Sequence, residues 1–210
     1  MLKRALTSVY AQSLQPATVF LVIDEAENRN KYACLRDFDQ RLQVTFTGGG
    51  KGGAWARNVG LEMVNSEYVF FLDDDDEWLP TKIEKQIDLL AARPQCIAVT
   101  CWRTIIDEHT GSRDVARVSE TVLNRNVMFR NLTGSFSFFG YRRNDKTRHL
   151  RLETALASAQ DMEFTMALSA HGRIGVVEEP LANYYIHTGE RITGDITRDL
   201  SASELIADKY

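Results

Sequence analysis

The apolar residues of the chain fall into alternating helical and extended patterns. Leu2, Ala5, Leu6 and Val9 recur at helical spacing, which predicts an amphipathic helix that Pro16 ends. TVFLVI (18–23) is a continuous apolar run rich in β-branched residues and predicts a buried strand. After a polar loop, LQVTF (42–46) predicts a second strand. TGGGKGG (47–53) reads as a flexible turn that opens a helix at AWARNVGLEMVNS. YVFFL (68–72) predicts a third strand. Pro80 suits the first turn of the helix that follows, whose Ile83, Ile87 and Leu90 share one face. CIAVTCW (96–102) predicts another strand. Strands alternating with helices imply an α/β fold with a mostly parallel, Rossmann-like sheet flanked by helices.

The pattern is less regular after residue 102. RTIIDEHTGSRDV predicts a hairpin and loop, and TVLNRNVMFRN a short helix. SFSFFGYRR (135–143) is aromatic and strand-like, and sheet core is favoured for it over a sugar platform. AQDMEFTMALSAHG (159–172) predicts a helix with Gly172 as a left-handed C-terminal cap. RIGVVEEPLANYYIH predicts two short strands broken at Pro180, and SASELIADKY reads as a helix just beginning, with sequence expected beyond Tyr210. Nothing resembles a repeat or a linker. The expectation is one domain over 1–210, with a nucleotide-binding-type half (1–102) and an irregular half (103–210).

Composition narrows the function classes. The 210 residues are 44% hydrophobic and 26% charged, as in an ordinary globular protein, and the net charge of -4 argues against a nucleic-acid partner. No apolar run approaches the ~18 residues of a membrane span. The first residues are too interrupted by polar ones for a signal peptide. Cys34, Cys96 and Cys101 form neither a zinc pattern nor a disulfide framework, which implies a reduced, cytoplasmic setting.

The candidate chemistry lies at strand ends. YVFFL runs directly into five acids, Asp73 to Glu77. Neighbouring carboxylates ~6 Å apart at an effective dielectric near 20 repel by roughly 3 kcal/mol. In an open α/β sheet, ligands bind outside the carboxyl ends of strands, and Asp24 and Glu25 occupy the same position after 18–23. Oxygen ligands gathered there suit Mg²⁺ or Mn²⁺ and, through the ion, a phosphate ester. The alternative is a solvated acidic loop. The glycine stretch lacks the phosphate-loop pattern, so a plain turn is as good a reading. Arg57 either faces the crevice or lies on the surface. His109, His149 and His171 have no partner at metal-ligand spacing.

The segment GGAWARNVGLEMVNSEYVFFLDDDDEWLPTKIEKQ resembles the core of the family 2 glycosyltransferases, whose fold is GT-A. That family shows a glycine-rich turn, ARNxGL, an apolar strand ending in D-x-D, and W-x-P-x-K-x-x-x-Q. LKRALTSVYAQSLQPATVFLVIDE resembles the family's first helix and second strand, and SAQDMEFTMALSAHGRIGVVEEPLANYYIHTGERIT its acceptor-side helix and closing segment. The resemblance spans most of residues 2–195. It implies that Asp75 binds the Mn²⁺ or Mg²⁺ bridging a sugar nucleotide's diphosphate, and that Asp73 or Asp74 holds ribose or sugar. It further implies that Asp24 and Glu25 meet the nucleobase or ribose, that Arg57 lies near the nucleotide, and that Asp161 is the catalytic base. His187 falls where some members place a histidine near the diphosphate and metal. An inverting displacement needs such a base and such a Lewis acid. Asp161 in a first helical turn is expected to stay ionised beside the positive end of the helix dipole, or else only to cap the helix.

The partners implied are a nucleotide-sugar donor and a glycan or lipid-linked acceptor in cell-envelope polysaccharide or glycolipid synthesis, with peripheral association at the inner face of the membrane. The family's Q-x-x-R-W motif of processive synthases is absent, which favours transfer of a single sugar. The family's opening strand and turn, of the type VSVIIPTYN, has no counterpart before Leu2. Neighbouring strands would then lose a pairing partner. The chain is accordingly read as starting further upstream, or as a remnant that grips nucleotide poorly; a rearranged sheet and a partner's strand are further readings. Rival functions are an inactive sugar-nucleotide-binding module and a metal-dependent nucleotidyltransferase.

Overall fold

The computed structural model describes residues 1–28, 31, 32, 35, 38–187 and 196–210. Cys34 lies outside them. The elements in chain order are α1 (Leu2–Tyr10), β1 (Val19–Ile23), β2 (Leu42–Phe46), α2 (Gly53–Met63), β3 (Tyr68–Phe70), β4 (Glu77–Trp78), α3 (Lys82–Ala92) and β5 (Cys96–Asp107). There follow β6 (Arg113–Ala116), α4 (Glu120–Asn126), a 3-10 turn (Phe136–Phe138), β7 (Gly140–Arg142), α5 (Gln160–Ser169), β8 (Arg173–Ile186) and α6 (Ile196–Lys209).

The α/β class stands. The strands, however, form two sheets. β1 and β2 pair in parallel by themselves, while the other six form one sheet in the order β3-β7-β5-β8-β4, with β6 beside β5. That larger sheet is mixed rather than mostly parallel: β5 and β8 run parallel, and the β3–β7, β5–β7, β4–β8 and β5–β6 pairs are antiparallel. The front half supplies the helix-crossed strands, and the antiparallel partners come from the back half.

Adjacent side chains of a strand point to opposite faces, and here they feed two cores. Phe71 packs with Leu61 of α2, Leu123 of α4 and Phe164 of α5, whereas Phe70 packs with Val9 of α1, Trp78 and Ile83 of α3. The segment 135–143 is core, as expected: Phe136, Phe138, Phe139 and Tyr141 are all buried. It is only partly strand. The Ser135 hydroxyl accepts from the Ser137 N–H at 3.1 Å and turns 136–138 into a 3-10 turn before β7 begins.

Two further expectations change. Residues 173–186 are one strand, not two, because the irregular register opposite Cys101 to Arg103 absorbs Pro180, which has no N–H to donate. Gly172 is not among the glycines with positive φ and makes no left-handed cap. Its role is close approach, since a Cβ there would lie 2.9 Å from the Gln95 carbonyl oxygen. The RTIIDEHTGSRDV hairpin forms as read, with Ile106 opposite Arg113.

One buried cation is held beneath the acids. Lys82 is fully buried, its ammonium donates to Gln86 Oε1 at 2.7 Å, and it lies 4.5 Å from the Trp78 ring centroid. Loss of water pushes its pKa down from 10.5 to about 8. Between those values the unfolded chain carries a proton that the folded chain has shed. Stability therefore rises with pH from about 8 to about 10.5, and below 8 the penalty is constant. Denaturant titrations across that window should show the slope in the native chain and its loss in Lys82→Met.

Candidate active site

The site is built where β3 runs into the acidic loop. The loop is anchored from below by Ser137, whose hydroxyl accepts from the Asp73 N–H at 3.0 Å, while its carbonyl accepts from Trp78 Nε1 at 2.7 Å. Gln86 adds a third tie, donating to the Phe138 carbonyl at 2.9 Å. From α1, Arg4 donates to the Asp75 carbonyl at 2.5 Å and lies over the Tyr185 ring.

Each oxygen of Asp73 has one protein partner. Arg57 makes an ion pair with Oδ1, and the Ser135 hydroxyl donates to Oδ2 at 2.9 Å. The same guanidinium lies 4.3 Å from the Phe136 ring centroid and reaches Gln160 Oε1 at 3.4 Å. Arg57 thus turns to the acidic loop, and one side chain links α2, that loop and the first residue of α5. Asp74 has its carboxyl raised by loss of surrounding water and by the charges of Asp75 and Asp73.

Asp75 Oδ2 lies 3.2 Å from His187 Nε2, so the two residues assigned to a metal meet across the fold from loop and β8 end. Asp76 beneath them is 1% exposed, and neither of its carboxylate oxygens makes a hydrogen bond of ordinary geometry. Burial first, then Asp73 and Asp75, push its pKa up to about 7 against the lowering effect of Ser137 and the Tyr185 backbone. Among the described residues, no group of three or more His, Cys, Asp or Glu is gathered closely enough to hold a metal unaided. The residues fit an ion that takes one or two protein ligands and fills its shell with water and phosphate oxygens, as Mg²⁺ does. The two orphaned oxygens of Asp76 favour a cation nearby.

Asp161 approaches from α5. Its Oδ2 accepts from Asn131 Nδ2 at 2.9 Å, and its Oδ1 accepts from the Met162 N–H at 2.9 Å. The N-cap residue is Ala159, in the left-handed conformation at φ 57, so Asp161 lies inside the first turn and takes one of its free N–H groups. Burial pushes its pKa up and outweighs the lowering by Asn131, the Met162 N–H and Arg57, contrary to the expectation from the helix dipole alone. A raised carboxyl is a stronger base once ionised.

Asp24 ends β1 as expected, but its oxygens hold the glycine turn. Thr47 donates to Oδ1, and the Gly52 and Lys51 N–H groups donate at 2.6 and 3.1 Å. Gly48, Gly49, Gly50 and Gly52 all have positive φ, which explains the run of glycines. Burial raises Asp24, but these bonds outweigh it and hold the carboxyl below the usual range. Glu25 pairs with Lys31 at 2.7 Å, the bond that chiefly lowers its pKa. The sequence reading missed Ser135, Ser137, Asn131, Gln160 and Arg4. Ser, Asn and Gln carry no signal without the tertiary pairing, although Gln160 does adjoin Asp161 in the sequence.

The family model described as Glycosyl transferase family 2 matches residues 1–148. The chain belongs to that family. Among curated relatives, the Escherichia coli UDP-Glc:alpha-D-GlcNAc-diphosphoundecaprenol beta-1,3-glucosyltransferase WfgD is 28% identical over 86 residues, 41% of this chain and 34% of WfgD. The succinoglycan biosynthesis protein ExoO of Rhizobium meliloti is 27% identical over a 220-position alignment, 97% of this chain and 61% of ExoO. The chain thus spans only part of the length of these relatives. Staphylococcus aureus TarS 1-349, solved in complex with UDP-GlcNAc, matches 99% of this chain and 62% of its own with a TM-score of 0.74 at 20% identity. That likeness shows the GT-A fold of the family. Among the described residues, no helix is long and apolar enough to cross a membrane.

Proposed function

We propose that this family 2 chain moves a sugar, with inversion, from a nucleotide-sugar donor to a hydroxyl of a glycan or lipid-linked acceptor in cell-envelope polysaccharide or glycolipid synthesis. The observation that carries this is the Arg57 link: it joins Asp73 of the acidic loop to Gln160, the neighbour of Asp161. Donor-side acids and a raised base brought near one another are what a single displacement needs. WfgD, named for a UDP-glucose donor and a diphosphoundecaprenol acceptor, and TarS, solved with UDP-GlcNAc, support the donor and acceptor classes.

In this reading Asp73 or Asp74 receives the ribose or sugar, and Arg57 supplies positive charge beside the diphosphate. Asp75, with His187 near it, would hold Mn²⁺ or Mg²⁺. Such an ion, when bound, supplies Lewis-acid stabilisation of the leaving nucleoside diphosphate. Asp161 takes the proton of the acceptor hydroxyl on a lone pair that its two hydrogen bonds leave open. Residues 1–102 act as the donor half and 103–210 as the acceptor half of one unit, working in the cytoplasm. Asp24 sets the glycine turn beside the nucleoside, and Glu25 lies at its outer rim.

Calorimetric titration of UDP and GDP with and without Mn²⁺ tests the donor site. Binding that requires Mn²⁺ and weakens at least tenfold in Asp75→Ala is expected. Failure of UDP, GDP and the other nucleoside diphosphates to bind would overturn the reading. Pyrophosphate as the released product would point instead to nucleotidyl transfer.

A further inference from the structure

The outer face of α4 and the turn after it is unlike the rest of the surface. Leu123 and Val127, four apart, point into the core and are buried. Val122, Arg125 and Phe129 recur three and four apart on the opposite side. That side should be polar, yet Val122 is 50%, Met128 39% and Phe129 79% exposed. Arg125 and Arg130 are exposed among these apolar groups, and among the described residues no acid pairs with either. On a chain of net charge -4, this is a small apolar patch with two unneutralised guanidinium groups.

Its place matters as much as its composition. Asn131, the next residue, donates to Asp161 at 2.9 Å and accepts from the Gly134 N–H at 3.0 Å, which fastens the turn to the base. Two residues of chain span at most ~7 Å, so Phe129 is at the rim of the acceptor side. Arg130 and Asn131 also share the wall of a cleft with Met162 and Thr165 of α5.

We propose that this face docks on the headgroup layer of an anionic membrane, with Phe129 and Met128 entering the interface and Arg125 and Arg130 meeting lipid phosphates. The charge decides the occupant: an apolar partner protein gives no reason for two unpaired arginines, whereas an anionic leaflet attracts both. Docked in this way, Asp161 opens towards acceptors presented at the membrane surface. The purpose of the surface rests on the transfer reading; its binding does not.

Sedimentation of the 210-residue chain with phosphatidylglycerol vesicles, against phosphatidylcholine vesicles, tests this at low salt. Each arginine near an anionic leaflet adds about fivefold to partitioning. Arg125→Gln with Arg130→Gln should therefore lower binding to phosphatidylglycerol by about 25-fold, and Phe129→Ser should lower it about tenfold. Raising the salt several-fold should remove the arginine part. Equal sedimentation with the two lipids, or variants that bind like the native chain, would overturn the proposal. So would a dimer in light scattering that Phe129→Ser splits, since the occupant would then be a second copy. UDP titration of the same samples separates the two readings: retained UDP binding without vesicle binding removes the surface alone, and the reverse removes the donor site alone.

Discussion

Asp161→Asn should lower sugar transfer by about a thousandfold, the middle of the range for loss of a positioned general base, while leaving Mn²⁺-dependent nucleotide binding within twofold of the native chain. Asparagine can still accept from the Met162 N–H but cannot take a proton. The pH profile provides the sharper test. A general base works only when ionised, so activity rises with pH as Asp161 loses its proton. Burial raises its pKa, and the acid limb should lie above the ordinary carboxylate range. Asn131 hydrogen-bonds to the carboxylate and lowers that pKa, so Asn131→Ala should move the limb to still higher pH. Steady-state rates from pH 4 to about 9, fitted for kcat, decide the matter. An Asp161→Asn enzyme with near-native turnover would remove Asp161 from the mechanism.

Phe164→Ala should destabilise the fold by about 3–5 kcal/mol. Phe164 is fully buried on α5 and lies at the centre of an aromatic cluster, with Tyr141 at 5.6 Å, Phe71 at 6.1 Å and Phe136 at 6.2 Å between ring centroids. Truncation removes contacts to all three and leaves a cavity between α5 and the sheet. Urea unfolding measures it, and Phe129→Ser is the comparison. That phenylalanine is 79% exposed, and its loss should change stability by less than about 0.5 kcal/mol. Because Phe164 lies one turn below Asp161, its loss should also reduce activity at temperatures where the protein is still folded. A change under about 1 kcal/mol would mean that the cluster repacks.

The parts of the site that the sequence made visible are those with an unusual local pattern. The acids after YVFFL stood out because like charges repel, and Arg57, Asp75 and Asp161 stood out through the family motifs around them. The parts that stayed hidden are polar residues of ordinary type. Ser135 and Ser137 lie more than 60 residues from Asp73, yet one donates to its carboxylate and the other accepts from its N–H. Neither looks different from a loop serine until the chain has folded.

The same division holds for the fold. Apolar periodicity by itself determined where the helices of the front half and the strands β1, β2, β3 and β5 lie, because burial of one face imposes its period on the sequence. It also determined that residues 136–141 belong to the core. Tertiary structure alone decided strand order, the mixed pairing of the larger sheet, and the continuity of β8 through Pro180, since these depend on which backbone meets which and not on local pattern. It alone decided the surroundings of Asp161 as well. Loss of water raises its carboxyl more than Asn131, the Met162 N–H and Arg57 lower it, and only the assembled fold sets that balance.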